Sequence, residues 1–153
     1  MHSAATSVLL ALLAWSSPCN AAESRMEGTW EIKWKCEKSV NSDCMPDSFS
    51  IRLFIQGKKV CGTHSSIAHG GNKVDEIGGS EPTLSGQLVG ATATLTFLSA
   101  FEGTGKATIT MKGGRLHWHI AEEEGESWLP TNATLHRIPN TAWGSSLKCG
   151  EQK

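Results

Sequence analysis

The side chains of this 153-residue sequence that could do chemistry fall into three groups. The first is His117 and His119, two residues apart. On a strand that spacing puts both imidazoles on one face, where they can meet one metal ion such as zinc. His136 joins them if the loop between the last two strands is symmetric and sets it opposite His117. A metal held this way also needs an outer shell to orient its ligands, and the sequence offers none. The three histidines are therefore read as polar outer positions of strands, and neither a metal nor another cofactor is expected.

The second group is Cys61, His64, His69, Asp75 and Glu76. A thiolate nucleophile needs a base, and the base an orienting carboxylate. Cys61 is expected in a disulfide, which removes the nucleophile and leaves His64 and Glu76 as an acid-base pair that nothing distinguishes from ordinary loop residues. Two local motifs also fail. Gly103-Thr104-Gly105-Lys106 is followed by Ala107 where a phosphate loop needs Ser or Thr. Gly125-Glu126-Ser127-Trp128-Leu129 ends in Leu where a nucleophile elbow needs Gly. Catalysis is not expected.

The third group concerns recognition. Glu122, Glu123, Glu124 and Glu126 gather negative charge beside Trp128. An aromatic side chain flanked by charge suits an anchor for a basic partner. Ser66 to Pro82 is the longest connection and carries Gly70-Gly71 and Gly78-Gly79. Long loops of this kind tend to carry function. The partner-binding candidates are thus His64, His69, Asp75 and Glu76 in that loop, with Glu122, Glu123, Glu124 and Trp128 in the acidic turn.

The elements that must position these residues are strands. Gly28 to Cys36 alternates without a slip, Trp30, Ile32, Trp34 and Cys36 on one face and Thr29, Glu31, Lys33 and Lys35 on the other. That is the period of a strand with one wet face, and it sends two tryptophans into one core. The same alternation predicts strands over 49–55, 59–65, 84–88, 91–97, 106–112, 115–120 and 132–138. Gly57-Lys58 and Gly113-Gly114 mark tight hairpins. Eight short strands with no helical periodicity predict an all-β, up-and-down antiparallel barrel, since closure removes the edges; a two-sheet sandwich is the alternative.

Residues 1–22 hold no Lys, Arg, Asp or Glu, and Val8 to Trp15 is apolar but too short to span a bilayer. This reads as a signal peptide ending near Ala21-Ala22, which makes the protein secreted or periplasmic. What remains, about 131 residues, suits one domain over 23–139 with a tail over 140–153. The 14 basic and 15 acidic residues leave a net charge of −1, so nucleic acid is not an expected partner. No later apolar run approaches the ~20 residues of a transmembrane helix, so a membrane is not expected either once the signal is removed. Four cysteines follow the signal, Cys36, Cys44, Cys61 and Cys149. In an oxidising compartment they are expected as two disulfides. Three connectivities are open, and Cys36–Cys44 with Cys61–Cys149 is the pairing we favour.

Gly28-Thr29-Trp30 at the head of the first strand, together with Arg137 in the last, resembles the calycin group of small barrels, which includes lipocalins, avidins and several secreted inhibitors. The resemblance implies that Trp30 closes one end of the barrel and that Arg137 packs across it. The chain lacks a lipocalin TDY-like motif and an avidin-like row of biotin-binding polar residues. The expected function is non-catalytic binding of another protein, of the inhibitor or immunity type. The second reading is a carrier of a small apolar ligand, and the third an enzyme with a histidine-bound metal. Whether Trp30, Trp34, Phe97 and Trp118 fill the barrel, or its small residues leave it hollow, separates the first two.

The cysteine reading predicts that the exported chain has no free thiol. Labelling of unfolded, unreduced protein with a thiol reagent should give no signal, and reduction should destabilise the fold by about 2 to 5 kcal/mol per bridge.

Overall fold

The computed structural model describes residues 25–35 and 45–139, with Leu147 and Cys149. The expected signal segment and the expected Cys36–Cys44 bridge lie outside the described residues. Nine strands follow in order: β1 (Gly28–Lys33), β2 (Ser48–Gln56), β3 (Lys59–Ala68), β4 (Lys73–Asp75), β5 (Leu84–Val89), β6 (Thr92–Leu98), β7 (Thr104–Lys112), β8 (Arg115–Glu124) and β9 (Asn132–Ile138). Eight of them close an antiparallel barrel in the order β1-β2-β3-β5-β6-β7-β8-β9, and Thr29–Glu31 against His136–Ile138 completes the ring. The barrel, not the two-sheet sandwich, is the architecture.

Alternation decides which side chains fill it. Ile51 and Leu53 of β2, Ala93, Leu95 and Phe97 of β6, Ile109 of β7 and Leu116 and Trp118 of β8 all point inward and are buried. Phe49 and Phe97 stack on Trp118 at centroid distances of 5.1 and 6.3 Å. These inward side chains keep almost no accessible surface, so the middle of the barrel is packed solid. Tight turns close one end. At the expected Gly57-Lys58 hairpin, φ of Gly57 is +61° and Lys58 keeps a negative φ, the signs of a type II′ turn.

Trp30 and Arg137 meet at that tight-turn end. Their strands pair them directly, and the guanidinium lies 4.7 Å from the indole centroid. Arg137 also donates to the carbonyl of Arg25, and the Trp30 Nε1–H donates to the carbonyl of Met26 at 2.8 Å. Gly28 is part of this arrangement. It has φ +130°, and a Cβ there would lie 2.7 Å from Arg137 Nη1. Arg137 itself stays exposed as a cap, while Ala133 and Leu135 continue its row into the core.

The Cys61–Cys149 bridge is present, with Cα atoms 5.4 Å apart, and Cys149 Sγ lies against the Phe54 carbonyl on the outer wall. Three local expectations are corrected. Trp34 does not enter the core but is 37% exposed, because β1 ends at Lys33 where its pairing with Ser48 ends. β8 runs on to Glu124, so Glu122–Glu124 belong to a strand; the register slips between Lys106 and Ala107, leaving Ala121 as a bulge that turns Glu122 and Glu124 to the outer face beside Lys106, while Glu123, opposite Gly105, takes the inward phase and stays exposed at the barrel mouth. The long connection after β3 contains β4, three residues too short for any period to reveal.

Replacing Trp30 by Ala should cost about 3 to 5 kcal/mol, because it empties a buried aromatic site and strips the cap of its partner. Urea unfolding measures it, and a loss below ~1 kcal/mol would show that the Trp30–Arg137 closure is not a structural one.

Candidate functional site at the loop end

The end opposite the tight turns carries the connections around β4 and those after β6 and β8, and a buried polar cluster ties them together. Inward positions of β3 run Val60, Gly62, His64 and Ser66. Asp75 pairs with Ser66, so it shares that inward face and is fully buried. Ser99 continues the inward row of Leu95 and Phe97. Polar side chains thus take the last layer of core positions beneath the loops.

Four donors converge on the Asp75 carboxylate. Ala100 N–H (2.8 Å) and His64 Nε2 (3.3 Å) reach Oδ1, and Ser99 Oγ (2.7 Å) and Trp128 N–H (2.9 Å) reach Oδ2. The Thr83 hydroxyl oxygen accepts the His64 backbone N–H at 3.2 Å and points its own proton at His64 Nδ1, 2.8 Å away. Nε2–H is then left to donate to Asp75. Ser66 Oγ donates to the Trp128 carbonyl at 2.7 Å. No buried side-chain nitrogen or oxygen among the described residues lacks a partner. Burial by itself would raise the Asp75 pKa; the hydrogen bonds from His64, Trp128, Ser99 and Ala100 outweigh it and hold the carboxyl at about 2 against an ordinary 3.8.

The order hydroxyl, imidazole, carboxylate is that of a hydrolase triad. Thr83 and His64 are both buried, however, so the hydroxyl is covered where a nucleophile must meet its substrate. What the cluster does in this arrangement is fix loops, since one carboxylate holds β3, the β6–β7 turn and the β8–β9 loop to β4.

Trp128 is the surface product of that fixation. Its backbone is pinned by Asp75 and Ser66, and its indole Nε1–H donates to Glu126 at 3.1 Å. Lys73 Nζ lies 4.7 Å from the Trp128 ring centroid and 5.4 Å from that of Phe101. His69 meets the Trp128 ring edge-on at 4.9 Å. His69 and Glu102 both hold left-handed backbone, φ 54° and 66°. Such residues cost roughly 1 kcal/mol or more and persist only where their surroundings hold them. Asn72 Nδ2 donates to the His69 carbonyl at 3.0 Å, and Glu102 N–H donates to Ser99 O at 3.2 Å.

The expected partner-binding residues divide accordingly. His69, Glu76, Glu122, Glu123 and Glu124 are exposed and Trp128 is half-exposed, all at this end. Glu76 accepts from Ser65, Glu123 from Ser127, and Glu122 pairs with Lys106 at 2.7 Å. His64 and Asp75 are corrected: they face inward and cannot touch a partner. The acid-base pair considered between His64 and Glu76 does not form; His64 meets Asp75 instead. Thr83, Ser99, Lys73 and Phe101 were not anticipated, although Ser99 sits at a core phase of its strand. The metal geometry is corrected too. Thr134 faces His117 and Asn132 faces His119, so His136 lies further along β9, and no metal-holding cluster of three His, Cys, Asp or Glu occurs among the described residues. His119 Nδ1 contacts Asn132 Oδ1 at 2.8 Å, and His117 Nδ1 the Thr134 hydroxyl at 3.3 Å.

No protein-family model matches the chain, and no curated protein or solved structure does.

Because the folded pKa of Asp75 lies below its unfolded value, its stabilisation is complete above about pH 4 and fades as the pH falls through 2. It is worth roughly 1 to 2 kcal/mol after allowance for screening near the barrel mouth. Asp75→Asn should therefore be less stable than wild type at pH 6, with the gap narrowing towards pH 2. Urea titrations across that range check it; a gap that does not change with pH would contradict the cluster's electrostatics.

Proposed function

We propose that this is an exported, non-catalytic binding protein of the calycin kind that engages another protein through the loop end of its barrel, in the manner of an inhibitor or immunity protein. The observation that carries the reading is the concentration of recognition chemistry at that end. Of the five large apolar side chains exposed among the described residues, Trp34, Met45, Val74 and Leu98 lie there, beside half-exposed Trp128 and Phe101. Glu76, Glu102, Glu122, Glu124 and Glu126 rim them. An apolar centre with a charged rim is the layout of a protein-binding surface, and fixing it before the partner arrives lowers the ordering cost of association.

The packed barrel interior supports outer-surface binding over carriage of a small apolar ligand inside. The Trp30–Arg137 closure supports the calycin reading, and the Cys61–Cys149 bridge is compatible with an oxidising, extracytoplasmic compartment.

Capture from the native compartment tests the proposal with wild type, Trp128→Ala, and Glu122, Glu123 and Glu124 all changed to Gln. The triple variant should associate more slowly and with weaker salt dependence, and Trp128→Ala should dissociate faster. The same proteins captured equally by all three, or capture of only a small lipid-like molecule, would overturn it.

A further inference from the structure

The net charge of −1 hides a separation of charge along the barrel axis. At the tight-turn end stand Arg25, Lys58, Lys59, Lys112, Arg115 and Arg137, all exposed, with Glu27 the one carboxylate among the described residues of that end. The carboxylates rimming Trp128 stand at the other, where with Asp47, Glu81 and Glu123 they outnumber Lys33, Lys35, Lys73 and Lys106. The nine residues of β2 span roughly 26 Å at about 3.3 Å per residue, and the tilt of barrel strands leaves roughly 20 Å between the ends. Charges that far apart are screened from each other beyond a Debye length of about 8 Å at physiological salt, so each end acts on its surroundings by itself. A partner meets a basic face or an acidic face, never a neutral protein.

A second feature shares the basic end. Val89, at the tip of the β5–β6 hairpin, is 78% exposed, the most exposed large apolar side chain among the described residues. Gly90 and Ala91 follow it at the turn, with no charge. Lys59 pairs with Gln87 on one side of this tip. On the other, Met111 N–H donates to the Ala91 carbonyl, placing Lys112 beside it. An uncharged tip between cations has the chemistry of a bilayer interface, where basic groups meet lipid phosphates and a small apolar group enters the headgroup boundary.

We propose that the tight-turn end docks on an anionic lipid surface, with Val89 dipping into the headgroup layer and Lys58, Lys59, Lys112 and Arg115 on the phosphates. This is contact with one face of a membrane by a folded barrel. It goes beyond the protein-binding proposal and is independent of it, and it would orient the loop end away from the lipid, towards a partner. Repulsion between lipid and the acidic rim favours the same orientation.

Co-sedimentation with vesicles tests the proposal, using the protein in the form that export leaves it. Vesicles of phosphatidylcholine mixed with phosphatidylglycerol should bind it, vesicles of phosphatidylcholine alone should not, and binding should weaken with salt. Each cation near an anionic surface contributes about a fivefold factor, so the double variant Lys58→Glu, Lys59→Glu should lose at least about tenfold. Val89→Ser should lose roughly threefold or more on vesicles and nothing on soluble polyphosphate. Glu122→Gln, at the other end, should not weaken binding, and unchanged thermal unfolding would show all variants folded. Equal binding to neutral vesicles would overturn the proposal, because the cations would then contribute nothing. An unchanged Val89→Ser would overturn it in favour of a soluble polyanion. Head-to-tail self-association in sedimentation velocity without vesicle binding would overturn it in favour of a second copy of this chain.

Discussion

A carboxylate taken out of water must be repaid by hydrogen bonds or it will not stay ionised, and the loop end of this barrel is built around that demand. Asp75 meets it with two side chains and two backbone amides drawn from β3, the β6–β7 turn and the β8–β9 loop. The requirement runs both ways. The carboxylate stays charged only if Ala100 and Trp128 hold their places, and those part-buried amides keep their acceptor only if the carboxylate is there. Loops whose own pairing is a single bridge between Glu102 and Glu126 thus acquire fixed positions. The half-exposed indole of Trp128 inherits that fixation, which turns a set of connections into a surface with a shape.

The two ends of the barrel use different chemistry for closure. At the tight-turn end, Arg137 covers Trp30 while keeping its charge exposed, so a cation–π contact serves as a lid and also adds to the basic face. At the loop end, closure is a buried polar network. The packed middle separates them, with Trp118 between Phe49 and Phe97 and its Nε1–H on the Pro130 carbonyl, tying core to loop. The two faces proposed for recognition are therefore rigidly related through one core.

The barrel was legible because each of its eight strands is long enough to show its period and because their turns carry glycine where hairpins need it. Lys73-Val74-Asp75 is too short for a period, and with it the centre of the loop end was missed. His64 lay in a predicted strand, at the phase of Val60 and Gly62, and a polar residue at a core phase signals a buried network; its partner Asp75 lay in what looked like a loop, so the network had no second member. Trp34 had the right phase but ran past the last residue that β2 pairs. The acidic residues are visible in the composition, and only the bulge at Ala121 explains how a strand turns Glu122 and Glu124 outward. Charge separation between the ends is absent from any linear count, because Arg25, Lys58, Lys112 and Arg137 come together only when the barrel closes.

Native-state amide hydrogen exchange at Ala100 and Trp128 tests the central role of Asp75 most directly, since both N–H groups lie in loops and have the buried carboxylate as acceptor. Both amides should exchange as slowly as those in the middle of β6 and β7, opening only when the barrel unfolds. Exchange at the rate of a solvent-exposed turn would contradict the account, because the loops would then be free of the carboxylate that is held to fix them.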